Sequence, residues 1–247
     1  MPSEIGFLEA VWPAPGNIIA GTTLKMAGYS QGTYSAFNLG DHVGDNVDHV
    51  KNNRRLLFQA LNLPSEPCWL NQKHGATVIT EPSNDVNLFA DASITRSAKK
   101  ICVVLTADCL PVLITTKSGD IISAIHAGWR GLAAGIIENT INAMQSNPSE
   151  LLVWLGPAIS QQAFEVGDDV RNIFLKLDDN NKFFFKANNS NRWQADLYGL
   201  AKLKLSDLGI RAIFGGNECT YGDTKRLYSH RRDNKCGRMA SIIYMQK

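Results

Sequence analysis

The amino-acid sequence predicts an α+β (mixed α/β) fold, with mixed β-sheets forming a sandwich-like core flanked by helices. Three observations lead there. Short apolar runs bounded by Gly, Pro, Asn or Asp outnumber the stretches with helical period, so simple βαβ alternation does not fit. Two of those runs, 112–116 and 121–126, are joined by Lys117-Ser118-Gly119-Asp120, a compact hairpin turn. Helical periodicity is confined to a few amphipathic stretches that can cover a sheet face.

The strand candidates in chain order are residues 18–23, 68–72, 77–80, 92–95, 101–105, 112–116, 121–126, 151–155, 211–214 and 239–244. A first helix is expected over 46–61, where Val47, Val50, Leu57, Phe58 and Leu61 form one stripe opposite Lys51 and the Arg54-Arg55 pair. A second is expected over 131–145, with Leu132, Ile136, Ile137, Thr140, Ile141 and Met144 on one side. A third, 168–177, places Asp168 and Asp169 at its positive end. A fourth, 196–208, ends at Gly209 in the position of a C-terminal cap. Phe183 to Phe185 reads as a short aromatic strand between polar loops. No repeat, low-complexity tract or linker interrupts the chain, so residues 1–247 are expected to form a single domain.

Composition excludes several classes. Hydrophobic residues make up 44% of the chain, enough for a substantial core without staples. A formal charge of +2 and no dense basic cluster argue against nucleic-acid partners. No stretch approaches about 18 apolar residues, so no membrane span is expected. The N-terminus lacks a secretory pattern, and the five scattered cysteines contain no CxxC pair. A reduced, cytoplasmic location follows from those features.

The chemistry concentrates at three strand ends. His74 leaves its strand at Gly75, Cys109 is followed by Leu110-Pro111, and His126 ends the run before Ala127-Gly128. Two imidazoles and a thiolate suit Zn²⁺, with Cu²⁺ able to substitute, and three protein ligands leave one position open. The hairpin returns Cys109 and His126 to the same end of a sheet. Each residue also has a plainer reading: a satisfied structural histidine, or a core cysteine before a proline. Asp108, beside the thiolate, is a candidate to accept a hydrogen bond from substrate, and Gln72 is a candidate to orient it.

Two further segments stand out. Arg231 and Arg232 offer planar forks suited to phosphate or carboxylate, although local Arg–Asp pairing with Asp233 explains them equally. The Asn38-Leu39-Gly40-Asp41 segment permits close backbone approach to a ligand, or forms an ordinary turn.

These strings together resemble one family. Asn38 to Asp45, Gln72 to Gly75, Asp91-Ala92, Thr106 to Pro111, His126 to Gly131, Leu155 to Ile159, Phe164 to Val166 and the Arg231-Arg232 loop are similar to the laccase-domain purine nucleoside phosphorylases. That family was formerly described as multicopper polyphenol oxidoreductases and is also linked to peptidoglycan editing. The resemblance implies one mixed-sheet domain with flanking helices, and His74, Cys109 and His126 as zinc ligands. It implies phosphorolysis of adenosine, inosine and methylthioadenosine with inorganic phosphate, and some adenosine deamination. Asn38, Arg130, Arg231 and Arg232 are the expected substrate- and phosphate-binding residues.

Histidine arithmetic argues against four coppers. A blue-copper centre plus a trinuclear cluster needs many imidazoles, and the chain has five: His42, His49, His74, His126 and His230. Phenol oxidation is then expected only from a copper-loaded form of the same site. Two alternatives stay open. Cys109 with His126 as base would make an amidase, a cysteine hydrolase that edits a peptidoglycan precursor (UDP-MurNAc carrying a wrong amino acid). A fourth side chain such as His42 closing the shell would make the zinc structural.

Overall fold

The computed structural model describes residues 5–83 and 88–246. The N-terminal stretch read for targeting includes residues 1–4, which lie outside them. Among the described residues the strands are β1 (Phe7–Glu9), β2 (Ile18–Thr23), β3 (Val78–Thr80), β4 (Ala92–Thr95), β5 (Ile101–Thr106), β6 (Leu110–Thr116) and β7 (Ile122–Ala127). They continue as β8 (Leu151–Leu155), β9 (Glu165–Val166), β10 (Phe185–Ala187), β11 (Trp193–Ala195), β12 (Ala212–Gly215) and β13 (Met239–Met245). The helices are α1 (Val47–Ala60), α2 (Trp129–Ala133), α3 (Ile136–Met144), α4 (Asp168–Leu177), α5 (Leu197–Asp207) and α6 (His230–Asp233).

Two sheets face each other. The antiparallel sheet runs β1-β2-β13-β5, and the mixed sheet runs β12-β8-β6-β7-β4-β3. Period-two alternation assigns each face. Along β5, Ile101, Val103 and Leu105 pack with Leu56 and Leu57 of α1. Cys102 and Val104 turn the other way, toward Leu113, Ile122, Ala124 and Trp154 of the mixed sheet. The opposite face of that sheet carries Val112, Ile114, Ile125 and Val153 against Ile137 and Ile141 of α3 and Leu200 and Leu205 of α5. The layers are therefore helix, sheet, sheet, helix. Both faces of the central strands are covered, which explains why β5 to β8 read as unbroken apolar runs. A small sheet, β10-β11-β9, packs beside α4.

Several expectations needed correction. Residues 68–72 bury Cys68 and Leu70 but join no ladder. Gln72 instead pairs through its side chain, donating to Leu105 O at 2.8 Å and accepting from Leu105 N at 2.7 Å. The helix expected over 131–145 is two helices, broken at Gly135 with φ of 86°. The aromatic stretch is a 3-10 turn over Asp179–Phe184, and only Phe185 enters a strand. Val47 of α1 is exposed, and the polar Asn53 is buried in its stead, donating to Ser30 Oγ and Asn38 O. Arg54, expected opposite the stripe, stacks on Trp69 and donates to Leu39 O.

Leu113 is fully buried between the two sheets, at the centre of the inter-sheet layer. Leu113→Ala is expected to lower unfolding free energy by about 2–5 kcal/mol in denaturant titrations, because neighbours on two sheets cannot collapse into the void.

Candidate metal centre

The soft donors sit where strand ends meet. Cys109 directly precedes β6, and His126 is the penultimate residue of β7. The antiparallel register sets Leu110 opposite Ala127, which brings Cys109 level with Gly128. A Cβ at residue 128 would lie 2.9 Å from Cys109 Sγ and 3.4 Å from His74 Cδ2, so glycine leaves the room that both donors need. His74 arrives on a turn with φ of 58°, a left-handed conformation uncommon outside glycine. The ligand atoms of His74, Cys109 and His126 all lie within 4.8 Å of one another, and the imidazoles meet edge to face. His126 is buried, Cys109 half-buried and His74 exposed, so the cluster opens to one side. This donor set can hold a metal ion.

A single carboxylate organises both histidines. Asp91 precedes β4, whose register sets Ala92 opposite Ile125, so Asp91 faces His126. Asp91 Oδ1 accepts from His126 Nδ1 at 2.8 Å and from His74 N at 2.8 Å. Its Oδ2 accepts from Gly75 N at 2.7 Å and Lys73 N at 3.2 Å. A carboxylate can only accept here, so His126 carries its proton on Nδ1 and presents Nε2 to the cluster. Three backbone N–H groups on the same carboxylate hold the His74 turn in its unusual conformation. Burial pushes the Asp91 carboxyl up, but the His126 contact and these N–H groups outweigh it and hold it below its ordinary value.

Metal-free, the donors polarise one another. Burial raises the Cys109 thiol, yet His126 and His74 beside it prevail and bring it down to about 6. Burial also disfavours the His126 cation, but the Cys109 thiolate and Asp91 raise it to about 9. Each group in its charged form therefore favours the charged form of the other.

The cluster forms part of the wall of a cavity of about 370 Å³, lined also by His42, Trp129, Arg130, Phe164, His230, Arg231 and Arg238. Arg130 stacks on Trp129 at 4.2 Å. Arg231 lies over Phe164 at 5.4 Å and donates to Glu165 O at 3.0 Å. The other expected residues divide. Gln72 lines the cavity with its amide committed to Leu105. Asp108 also lines it, with one oxygen accepting from Thr220 Oγ1 and the other from Arg231 N, both at 2.6 Å. Asn38 is fully buried and accepts from Gly40 N and Arg238 N, so it shapes a turn and lies away from the cavity lining. Arg232 spends its guanidinium on the carbonyls of Thr220, Tyr221 and Leu227 and on Asp233. The close approach anticipated at Gly40 is to Arg238 Cγ, 2.8 Å from where a Cβ would sit.

Sequence reasoning on residue chemistry passed over Asp91 and Arg238. Asp91 appeared only within a matching string, since nothing local marks a carboxylate whose partners lie on another strand and in the His74 turn. Arg238 lines the cavity from the residue immediately before β13.

Fold and site thus define an α+β protein with an open, soft three-donor centre in an arginine-lined cavity. The family model described as multi-copper polyphenol oxidoreductase laccase matches residues 19–246. The chain belongs to that family. A purine nucleoside phosphorylase of Haemophilus influenzae is 46% identical over 95% of this chain and 97% of its own. The Escherichia coli purine nucleoside phosphorylase YfiH is 44% identical over 95% and 96%. A Neisseria meningitidis protein of known crystal structure superposes with a TM-score of 0.94 at 43% identity, covering 98% of this chain and 100% of that one. Despite the family's description, one group of three potential ligands is found among the described residues. It cannot supply four coppers.

Asp91→Asn keeps the shape but removes the charge, and its NH2 group must face either the His126 and His74 N–H groups or those of Lys73 and Gly75, which need an acceptor. Zinc affinity, measured by competition with a chelating dye, is expected to fall roughly 10- to 100-fold; an unchanged affinity would contradict the organising role. In metal-stripped protein, alkylation of Cys109 by iodoacetamide tracks the thiolate, so its rate should fall as pH drops through about 6. His126→Gln should move that midpoint upward.

Proposed function

We propose that this chain is a zinc-dependent purine nucleoside phosphorylase acting on adenosine, inosine and methylthioadenosine with inorganic phosphate, with adenosine deamination as a side activity. The observation that carries this reading is the juxtaposition of the His74–Cys109–His126 donors with Arg130 and Arg231 in one cavity. Purine nucleoside phosphorylases at 44–46% identity over nearly the whole chain support it.

His74 Nε2 or Nδ1, Cys109 Sγ and His126 Nε2 would hold Zn²⁺, with Cu²⁺ as the tighter-binding substitute that allows phenol oxidation. Bound there, the ion supplies a Lewis acid at the cavity wall. Among the described residues no fourth His, Cys, Asp or Glu joins the cluster, which favours an open catalytic site over a closed structural one. His42 lines the cavity without completing the shell.

The chain's own groups account for phosphorolysis as follows. Arg130 and Arg231 clamp phosphate, each guanidinium pre-set by stacking on an aromatic ring. A phosphate oxygen bonds to the anomeric carbon as the bond to the purine nitrogen breaks. The held anion offsets positive charge developing on the sugar. His42 and His230, on the same wall, can hand a proton to the departing purine.

One observation favours a second reading. Cys109 Sγ lies within 4.8 Å of the nearer His126 ring nitrogen, and the neighbouring histidines draw its thiol down, as a cysteine nucleophile requires, so an amidase editing a peptidoglycan precursor is the competitor. Chelation separates the two, because a nucleophilic cysteine keeps its activity without metal.

Residues 1–247 are taken as a single functional domain, which the family match over 19–246 supports. Among the described residues no helix is long and apolar enough to cross a membrane. Among the described residues the cysteines form no disulfide with one another, and a cytoplasmic location is part of the proposal.

Adenosine plus phosphate should yield adenine and ribose 1-phosphate, with activity lost on removing zinc and regained on adding it. Inosine as the main product, or full activity after chelation, would sink the reading. Arg130→Ala and Arg231→Ala should each raise the phosphate KM about 10- to 100-fold, matching the loss of charge-assisted hydrogen bonds.

A further inference from the structure

Asp108 combines features that neither metal ligation nor substrate contact explains. Its φ is 90°, a left-handed conformation that Asp and Asn tolerate better than longer side chains. Its carbonyl accepts from Ile159 N at 3.0 Å, and its carboxylate is divided between two donors on a distant segment. Oδ2 accepts from the backbone N–H of Arg231, within the first turn of α6, at 2.6 Å. Oδ1 accepts from Thr220 Oγ1 at 2.6 Å, and Thr220 O in turn accepts from Arg232 Nη1 at 2.8 Å. Two routes therefore run from one carboxylate to the same short helix. At four residues, α6 is too short to be stable through its own hydrogen bonds.

We propose that Asp108 is a positioning residue that fixes α6 against the Cys109 turn and thereby aims Arg231 into the cavity beside the metal donors. The inference deepens the phosphorylase reading and rests on it for the identity of the anion. Arg231 is the only arginine of the clamp carried by α6; Arg130 is held separately on α2. Loss of the anchor should therefore act on phosphate binding and leave the ligand cluster intact.

Chemistry at the two oxygens selects the variants. The Arg231 N–H can only donate, whereas the Thr220 hydroxyl can reverse and accept. Asp108→Asn can thus keep both contacts, with its carbonyl toward Arg231 and its amide toward Thr220. Asp108→Gly removes both contacts while accommodating the left-handed backbone, which separates the anchor from strain.

The test compares the zinc-loaded wild-type, Asp108→Gly and Asp108→Asn proteins. In Asp108→Gly, amide exchange across 229–233 should accelerate and the phosphate KM should rise about tenfold, with kcat at saturating phosphate held within about twofold. Zinc content should match wild type, and Asp108→Asn should recover most of the phosphate affinity. Unchanged exchange across α6 in Asp108→Gly would overturn the proposal. So would a fall in kcat at unchanged KM, or loss of zinc. If wild-type protein performs no phosphorolysis, the functional reading fails, and the exchange comparison still decides whether Asp108 anchors α6.

Discussion

The Asp91 carboxylate is the contact on which the site depends. It holds the tautomer of His126 and three consecutive backbone N–H groups around His74. Without those acceptors, the left-handed turn at His74 would carry its strain unopposed and the ring would leave the cluster. With them, the turn is tied at three successive N–H groups to the residue that precedes β4. Two of the three donors therefore take their geometry from one buried charge, which is itself compensated by the groups it orients.

That charge is placed by strand pairing. Asp91 meets His126 because β4 and β7 are antiparallel neighbours, and Cys109 meets Gly128 because β6 and β7 form a hairpin. Covering helices and a second sheet bury these strands on both faces, so the register that sets the donors is the register that packs the core. A one-residue slip would exchange the side chains facing the helices with those facing the second sheet, and would scatter the donors at the same time. Stability and site geometry are thus one constraint. The two clamp arginines enter on short helices instead: Arg130 on α2, which packs Leu132 into the core, and Arg231 on α6, which is tied down by individual hydrogen bonds.

Much of this was legible in the sequence, for identifiable reasons. The runs that became β5 to β8 are apolar on both faces and bounded by turn residues, and the 117–120 turn fixes the pairing of β6 with β7, so Cys109 and His126 could be brought together on spacing. Asn46 and Asp196 cap α1 and α5 with their side chains, marking the helix starts near their expected positions. Legibility failed where side chains replace backbone partners. Residues 68–72 have strand alternation, but Gln72 pairs through its amide, which no local pattern encodes. Arg232 and Asn38 looked like ligand-binding groups because their polarity was visible and their internal partners were not. Asp108 was visible for the same reason, and its two partners lie more than a hundred residues along the chain.

One sulfur and two imidazole nitrogens sharing a cation are the centre of the proposed site. Zinc-edge X-ray absorption on protein purified without added metal addresses that directly. The expected first shell holds one sulfur at about 2.3 Å and nitrogen or oxygen scatterers at about 2.0–2.1 Å. A shell without sulfur, or one with two or more, would contradict it.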